Sequence, residues 1–321
     1  MRLSLSLIFC IFFTVIYFHA YGQTQPASCP ESAQYYSKDS INVVTFGAST
    51  VEGVNGIDFQ SYLTGNFTNC YKNKSINIQK YGVGGETTTQ SLLRIDNAIR
   101  GKTGFIVILA GVNDAVQIDA GRQTLAETEA SMRELIKRSL KQSLIPLVST
   151  LQFFDDRNDA RLRRVNNQIR SINNLYRKLV EEYGIYLIDI NGVIRRDFSL
   201  YQDLIHPNAR GNRLISFIIF DAINKIIAEK FLQFTVSQNY PNPGSSSSFT
   251  SLDIVMPKSD KIELKIYSMQ GKLVRSVINE YLNTGKHVIQ IQLNLLPPGV
   301  YIYKVSSLSG QYSVAKKMIV N

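Results

Sequence analysis

Five short apolar runs, separated by stretches with helical spacing, constrain the fold of this chain more than any other feature of its sequence. The runs begin at Ile41, Ser75, Phe105, Leu144 and Ile185. The third, FIVILA, is apolar throughout, which is typical of a strand buried on both faces of a parallel sheet. Residues 124–142, 161–183 and 207–230 have the apolar spacing of helices. This alternation predicts an α/β sandwich with right-handed crossovers.

Polar or glycine-rich clusters stand at the ends of these predicted strands and before the last predicted helix. The clusters are Gly47–Thr50, Tyr81–Thr88, Gly111–Asp114 and Asp203–Asn208. In an open α/β sheet, ligands bind beyond the carboxyl ends of the strands. We therefore expect the four clusters to face one common crevice.

Two of the clusters contain the residue types of a nucleophilic triad. Serine becomes a nucleophile when a base takes its proton, and histidine is the usual base. His206 is the only histidine between residues 23 and 286. Pro207 disfavours helical geometry at His206 and suits the first position of the helix that follows. Asp203 lies three residues before His206, so its carboxylate could orient the imidazole. We predict Ser49 as the nucleophile, His206 as the base and Asp203 as the acid.

The same clusters offer donors for an oxyanion, which an acyl-transfer intermediate requires. The candidates are the backbone N–H of Ser49, the backbone N–H of Gly85, where the missing side chain permits close approach, and the side-chain amide of Asn113. Alone, the first and third clusters could be ordinary turns, the glycine-rich second a flexible loop or a phosphate cradle, and the fourth a structural pair at a helix start. The four together and in order are more specific. The Gly-x-Ser-x-Gly elbow of α/β-hydrolases is incomplete, because Val51 occupies the second glycine position.

In combination, the clusters resemble the conserved blocks of the SGNH hydrolases, the GDSL-like esterase/lipase family, over residues 41–230. The residues that match the family's Ser, Gly, Asn, His and triad acid are, in turn, Ser49, Gly85, Asn113, His206 and Asp203. The resemblance implies a flavodoxin-like three-layer α/β/α sandwich with a parallel sheet of about five strands. It also implies ester hydrolysis through an acyl-enzyme, without a cofactor. Two positions depart from the family pattern: Ala48 replaces a frequent Asp, and Lys80 a frequent Asn.

The N-terminal segment has the features of an export signal. Residues 1–22 contain Arg2, an apolar centre and a small-residue end, which together predict a secretory signal peptide cleaved after Gly22. The apolar centre is shorter than the ~20 residues that a spanning helix needs, so we expect no stable membrane span. Cleavage would leave two cysteines, Cys29 and Cys70. In an exported protein they could form a disulfide or remain free thiols.

The last 89 residues have a different pattern, beginning with a proline-, asparagine- and serine-rich stretch near residue 239. Apolar residues then alternate with period two, which predicts a small β-sandwich. This tail resembles the type A C-terminal sorting domain of the type IX secretion system of Bacteroidota. The matching segments are Gln238–Pro243, Tyr267–Lys272, Leu296–Tyr301 and Lys316–Val320. The resemblance implies that residues 233–321 engage the type IX secretion machinery. A carbohydrate-binding or other immunoglobulin-like module is the alternative.

The charge and the histidine content exclude other classes of function. The formal charge is +10, but no segment concentrates it as a nucleic-acid-binding arm would. The three histidines are His19, His206 and His287, and none belongs to a His/Cys cluster with metal-ligand spacing. We therefore expect no nucleic-acid partner, no metal site and no cofactor.

These features predict three segments: a signal peptide at 1–22, a catalytic domain at 23–232 and a sorting domain at 233–321. The predicted function is a serine esterase, secreted or attached to the cell surface after passage through the periplasm. Its expected substrates are short acyl esters, such as acetyl groups on polysaccharides. The alternatives are a lysophospholipase or lipase, an acyltransferase on the same triad, and a non-catalytic glycan-binding protein on the same fold.

Overall fold

A five-stranded parallel sheet forms the centre of the first two thirds of the protein. The computed structural model describes residues 29–321, so the predicted signal peptide lies outside the described residues. The strands are β1 (Ser40–Gly47), β2 (Ser75–Gly82), β3 (Phe105–Leu109), β4 (Ile145–Ser149) and β5 (Tyr186–Ile188). Their order is β2-β1-β3-β4-β5, and every neighbouring pair is parallel. The predicted flavodoxin-like topology is confirmed.

Helices cover both faces of this sheet. They are α1 (Ser49–Glu52), α2 (Phe59–Cys70), α3 (Thr88–Ser91), α4 (Ile95–Ile99), α5 (Val112–Asp119), α6 (Leu125–Lys141), α7 (Ala160–Tyr183), α8 (Ile190–Ile194) and α9 (Ala209–Lys230). The side chains of β1 alternate between two cores. Ile41 and Val43 pack with α2 and α9, whereas Val44 and Phe46 pack with α6 and α7. Burial on both faces explains the continuous apolar runs of the sequence.

Two helix starts show where local sequence signals decided the boundary. The predicted capping box at α6 is present, with Thr124 Oγ1 accepting from the Glu127 N–H at 3.2 Å. The expectation that Pro207 occupies the first position of the last helix is wrong. Asn208 caps α9 instead, because its Oδ1 accepts from the N–H groups of Arg210 and Gly211. Pro207 therefore lies outside the helix and forms part of the loop that carries His206.

Two antiparallel sheets form the C-terminal unit, as the period-two pattern predicted. One sheet has the order β10-β7-β6 and the other β12-β11-β8-β9. Their strands are β6 (Thr235–Val236), β7 (Phe249–Met256), β8 (Asp260–Ser268), β9 (Leu273–Leu282), β10 (Gly285–Gln292), β11 (Gly299–Ser307) and β12 (Ser313–Val320). Inward side chains of both sheets, among them Ile254 and Tyr303, share one core. None of the helices between residues 29 and 321 is long and apolar enough to cross a bilayer.

The beginning and the end of the first unit, the α/β part of the chain that precedes β6, lie side by side. The Ser37 N–H donates to the Phe231 carbonyl and the Gln233 N–H to the Tyr35 carbonyl, both at 2.8 Å. Tyr36 forms a bridge with Leu232 between these two bonds. The segment that precedes β1 is thereby joined to the segment that follows α9.

A disulfide between Cys29 and Cys70 ties the start of the described chain to the end of α2, across 41 residues of sequence. We expect the double variant Cys29→Ser/Cys70→Ser to lose about 4 kcal/mol of unfolding free energy, because the bridge restricts the unfolded chain over this loop. Urea unfolding of the variant and of the oxidised wild type measures the difference. Wild-type protein after reduction should match the double variant. Equal midpoints of the oxidised wild type and the variant would contradict the prediction.

Candidate active site

Ser49 is the first residue of α1 and follows a tight turn at Ala48, directly after the end of β1. An added Cβ at Gly47 would lie 1.9 Å from the carbonyl oxygen of Leu109, and one at Gly82 would lie 2.0 Å from the backbone nitrogen of Glu52. Both strand ends therefore approach their neighbours more closely than any residue with a side chain permits. This packing fixes the turn and presents Ser49 beyond the carboxyl edge of the central strands.

The loop before α9 brings the imidazole of His206 to Ser49. His206 Nε2 lies 2.9 Å from Ser49 Oγ. On the other side of the ring, Nδ1 lies 2.7 Å from Asp203 Oδ2. An ionised carboxylate accepts hydrogen bonds only, so the proton of the neutral ring is on Nδ1, and Nε2 is free to accept from the serine hydroxyl. The three side chains form a continuous hydrogen-bonded chain.

The Asp203 carboxylate is also bonded to the backbone of its own loop. Its Oδ1 accepts from the N–H groups of Ile205 at 2.9 Å and His206 at 2.8 Å. Partial burial opposes ionisation, but these backbone bonds, together with the imidazole, outweigh it and hold the pKa of Asp203 below its usual value. The carboxylate is consequently ionised at neutral pH and fixed in the orientation that faces the ring.

Three N–H donors lie around the same space as the serine hydroxyl. Gly85 adopts a left-handed backbone with φ of 78°. Neither its N–H nor that of Ser49 donates to an acceptor within residues 29–321. Asn113, at the start of α5, donates one amide hydrogen to the Glu86 carbonyl at 2.9 Å. Its second amide hydrogen remains for a ligand. These three groups line one cavity with Ser49 Oγ and His206.

The loop that carries Gly85 is held by a residue that the sequence analysis did not single out. Arg94 Nε donates to the Glu86 carboxylate at 2.8 Å, and the same guanidinium donates to the carbonyl oxygens of Gly47 at 2.8 Å and Tyr81 at 3.0 Å. Its plane also lies 4.3 Å from the centre of the Phe46 ring. One side chain thus connects the ends of β1 and β2 to the loop of the candidate oxyanion donors. No local motif marks Arg94, since its role depends on tertiary contacts.

A second residue whose role was not predicted, Asp114, follows Asn113 on α5 and bonds this helix to its neighbours. Its side chain is fully buried. It accepts from the Thr88 N–H at 2.9 Å, from Gln123 Nε2 at 2.6 Å and from Thr128 Oγ1 at 3.2 Å. These bonds connect α3, α5 and α6, so the helix that carries Asn113 is fixed relative to its two neighbours. The sequence interpretation treated Asn113-Asp114 alone as a common turn.

The cavity at the carboxyl edge of the sheet has a volume of about 460 Å³, within the range of small-molecule sites. Its walls are mainly apolar, formed by Leu109, Val112, Val116, Leu151, Phe154, Leu162, Leu204 and Ile205. Its polar lining includes Ser49, Asn113, Gln152, Arg161 and His206. Leu204, next to Asp203, is 55% exposed and forms part of the rim.

Ala48 lines this cavity, whereas His287 and Lys80 lie away from it. His287 Nε2 lies 2.7 Å from the Asn283 carbonyl in the C-terminal unit. Lys80 forms an ion pair with Asp58 at 3.2 Å. In the part of the chain from residue 29 onward, no group of three or more His, Cys, Asp or Glu side chains could hold a metal ion.

Comparison with known proteins identifies both units. Residues 45–214 match the GDSL-like lipase/acylhydrolase family, and residues 238–321 match the secretion system C-terminal sorting domain. No curated protein sequence matches the chain significantly.

Solved structures similar to the first unit include the lipase/acylhydrolase from Enterococcus faecalis, with 19% identity and a TM-score of 0.50, covering 58% of this chain and 95% of that one. The acetyl xylan esterase AlAXEase has 22% identity and a TM-score of 0.48, covering 57% and 99%. The acetylxylan esterase Axe2 from Geobacillus stearothermophilus, in a mutant form, has 17% identity and a TM-score of 0.48, covering 58% and 96%. The first of these similarities supports a shared fold.

Proposed function

The chain belongs to the GDSL-like lipase/acylhydrolase family, and on this basis we propose that it is a serine esterase that removes short acyl groups from carbohydrates outside the cell. Family membership makes it an ester hydrolase, and the sorting domain indicates export. One observation carries the proposal for its mechanism: the unbroken hydrogen-bonded chain from Ser49 Oγ through His206 to Asp203, at 2.9 and 2.7 Å.

In the first half-reaction, Ser49 Oγ attacks the ester carbonyl while His206 Nε2 takes the hydroxyl proton. The imidazolium that forms is stabilised by the Asp203 carboxylate. The proton then passes from Nε2 to the departing alcohol oxygen, and the acyl group remains on Ser49. In the second half-reaction, His206 takes a proton from a water molecule that attacks the acyl carbonyl. His206 then returns this proton to Ser49 Oγ as the bond to the acyl group breaks and the acid leaves.

The negative charge on the tetrahedral intermediate is held by fixed donors. The N–H groups of Ser49 and Gly85 and the free amide hydrogen of Asn113 are assigned to this task. Because Arg94 and Asp114 fix the segments that carry these donors, the donors need little reorganisation when the charge develops. Such preorganised donors each contribute on the order of 10²–10³-fold to kcat in related chemistry.

Two features support a short acyl group on a carbohydrate. The acyl group and the alcohol have to share the cavity of about 460 Å³ around Ser49, so the space for the acyl group is smaller than the whole cavity. The sorting domain indicates export, and polysaccharides are substrates that an exported enzyme can reach. We further propose residues 23–232 as the catalytic domain and residues 233–321 as the domain that engages the type IX secretion machinery, with release or surface attachment afterwards.

Acyl-length preference tests this proposal directly. For p-nitrophenyl esters, we expect kcat/KM to fall by roughly tenfold or more from acetate to octanoate, because a longer acyl chain and the alcohol have to share one cavity. Steady-state hydrolysis by the full chain measures it. A rise with acyl length would favour a lipase or lysophospholipase. Folded protein that cleaves no ester but binds glycans would favour the non-catalytic alternative.

A further inference from the structure

Arg161 is the only arginine or lysine that lines the cavity of Ser49 within residues 29–321. It is the second residue of α7 and is solvent-exposed. The backbone N–H of Arg161 is bonded to the N-cap residue Asp159, with Oδ1 at 2.7 Å. Its guanidinium, however, makes no ion pair, hydrogen bond or ring contact among the residues described, and so remains available to a ligand.

The neighbouring arginines differ in this respect. The other arginines between residues 157 and 164 each have an acceptor within the protein: Arg157 contacts the Asp155 carboxylate, Arg163 the Asp156 carbonyl and Arg164 the Asp119 carboxylate. On the facing loop, Arg196 contacts the Asp156 carboxylate. The carboxylates of Asp155, Asp156 and Asp119 are therefore engaged by other arginines, Asp159 caps the backbone of α7, and no acidic side chain lines the cavity. A cation beside apolar walls, in a cavity without an acidic lining residue, is suited to an anionic ligand.

We propose that Arg161 binds a carboxylate on the alcohol part of the substrate, so that the enzyme deacylates acidic saccharides built from uronic acid units. This inference rests on the proposed function. A short acyl group such as acetyl has no charge of its own, so an anion in the same cavity has to belong to the alcohol. The planar guanidinium can bind a carboxylate through two parallel hydrogen bonds. Arg161 would then determine specificity without touching the reacting atoms.

A matched pair of substrates tests the charge preference. We compare acetate release from acetylated galacturonate oligosaccharides with release from the same oligosaccharides after methyl esterification of their carboxylates. For the full chain, we expect kcat/KM to be about tenfold higher on the charged form, as for a charged hydrogen bond at a partly exposed site. Arg161→Gln should abolish this difference by lowering kcat/KM on the charged form alone. Arg161→Lys should restore part of it.

Arg100→Gln is the control, because Arg100 is also exposed and contacts only Asn97, at the opposite end of the sheet from the cavity. It should retain the full preference. The inference is overturned if the wild type cleaves both oligosaccharides equally, or if Arg161→Gln slows both to the same extent. A stronger preference for an acetylated sugar phosphate would overturn the assignment to a carboxylate. Failure of the inference leaves p-nitrophenyl acetate turnover intact, whereas loss of that turnover in the wild type would overturn the proposed function as well.

Discussion

Replacing Ser49 by alanine is expected to lower kcat for p-nitrophenyl acetate by at least about 10⁴-fold, because the reaction then loses the atom that carries the acyl group. The fold should be unaffected, since the change removes one oxygen from a turn that is fixed by Gly47 and Gly82. Steady-state kinetics measures the decrease in kcat, and thermal unfolding verifies that the variant is folded.

Two further measurements make this result specific. Ser61→Ala is a matched control, because Ser61 is an exposed serine on α2 outside the cavity, and its activity should equal that of the wild type. A phosphonate ester inhibitor should add one covalent group to the wild type and none to Ser49→Ala, as mass spectrometry can determine. Labelling of Ser49→Ala at the wild-type rate would show that another residue is the nucleophile.

Asp203→Asn is expected to have the second largest effect, a decrease of roughly 10²–10³-fold in kcat. The asparagine oxygen can keep the bonds from the Ile205 and His206 backbone, which leaves the amide nitrogen facing His206 Nδ1. Two donors then oppose each other, and the imidazole shifts its proton to Nε2, where it can no longer accept from Ser49. The loss should be smaller than at a buried acid, because the Asp203 side chain is 46% exposed and water can partly replace it.

The kinetic constants distinguish this explanation from a general loss of structure. KM should change little, and a melting temperature close to that of the wild type is expected. Asp197→Asn provides the comparison, since Asp197 is an exposed carboxylate on the preceding turn that caps its own backbone at Ser199 and does not line the cavity. If Asp203→Asn and Asp197→Asn had equal activity, the proposed role of Asp203 would be wrong.

Much of the arrangement of the candidate active site could be predicted because it follows from a rule of topology. Ser49 and Asn113 come directly after apolar runs, and parallel strands end at the same edge of a sheet. Their common location therefore required only the runs and their order. The pairing of Asp203 with His206 was equally local, since three residues separate them and Pro207 keeps them in a loop.

Arg94 and Asp114 could not be predicted in this way. The contacts of Arg94 reach two strand ends and a loop. These groups come together only after the sheet has formed, so no local sequence signal marks the residue. Helix α2 was also missed, although Phe59, Leu63 and Phe67 are buried at four-residue spacing. Its glycine and polar residues weaken its helical preference, so packing on the sheet stabilises it. Strand β9 was not predicted individually either. It is exposed along much of its length, so its sequence lacks the regular alternation of apolar and polar residues that indicates a strand.

The adjoining ends of the first unit have a consequence for how it can be joined to other polypeptides. Because residues 35–37 are bonded to residues 231–233, the unit begins and ends at one place on its surface. A module of this form can be fused to, or separated from, a neighbour without unravelling its own sheet. It is also a natural candidate for circular permutation, with a short linker that joins the two ends and new termini opened elsewhere.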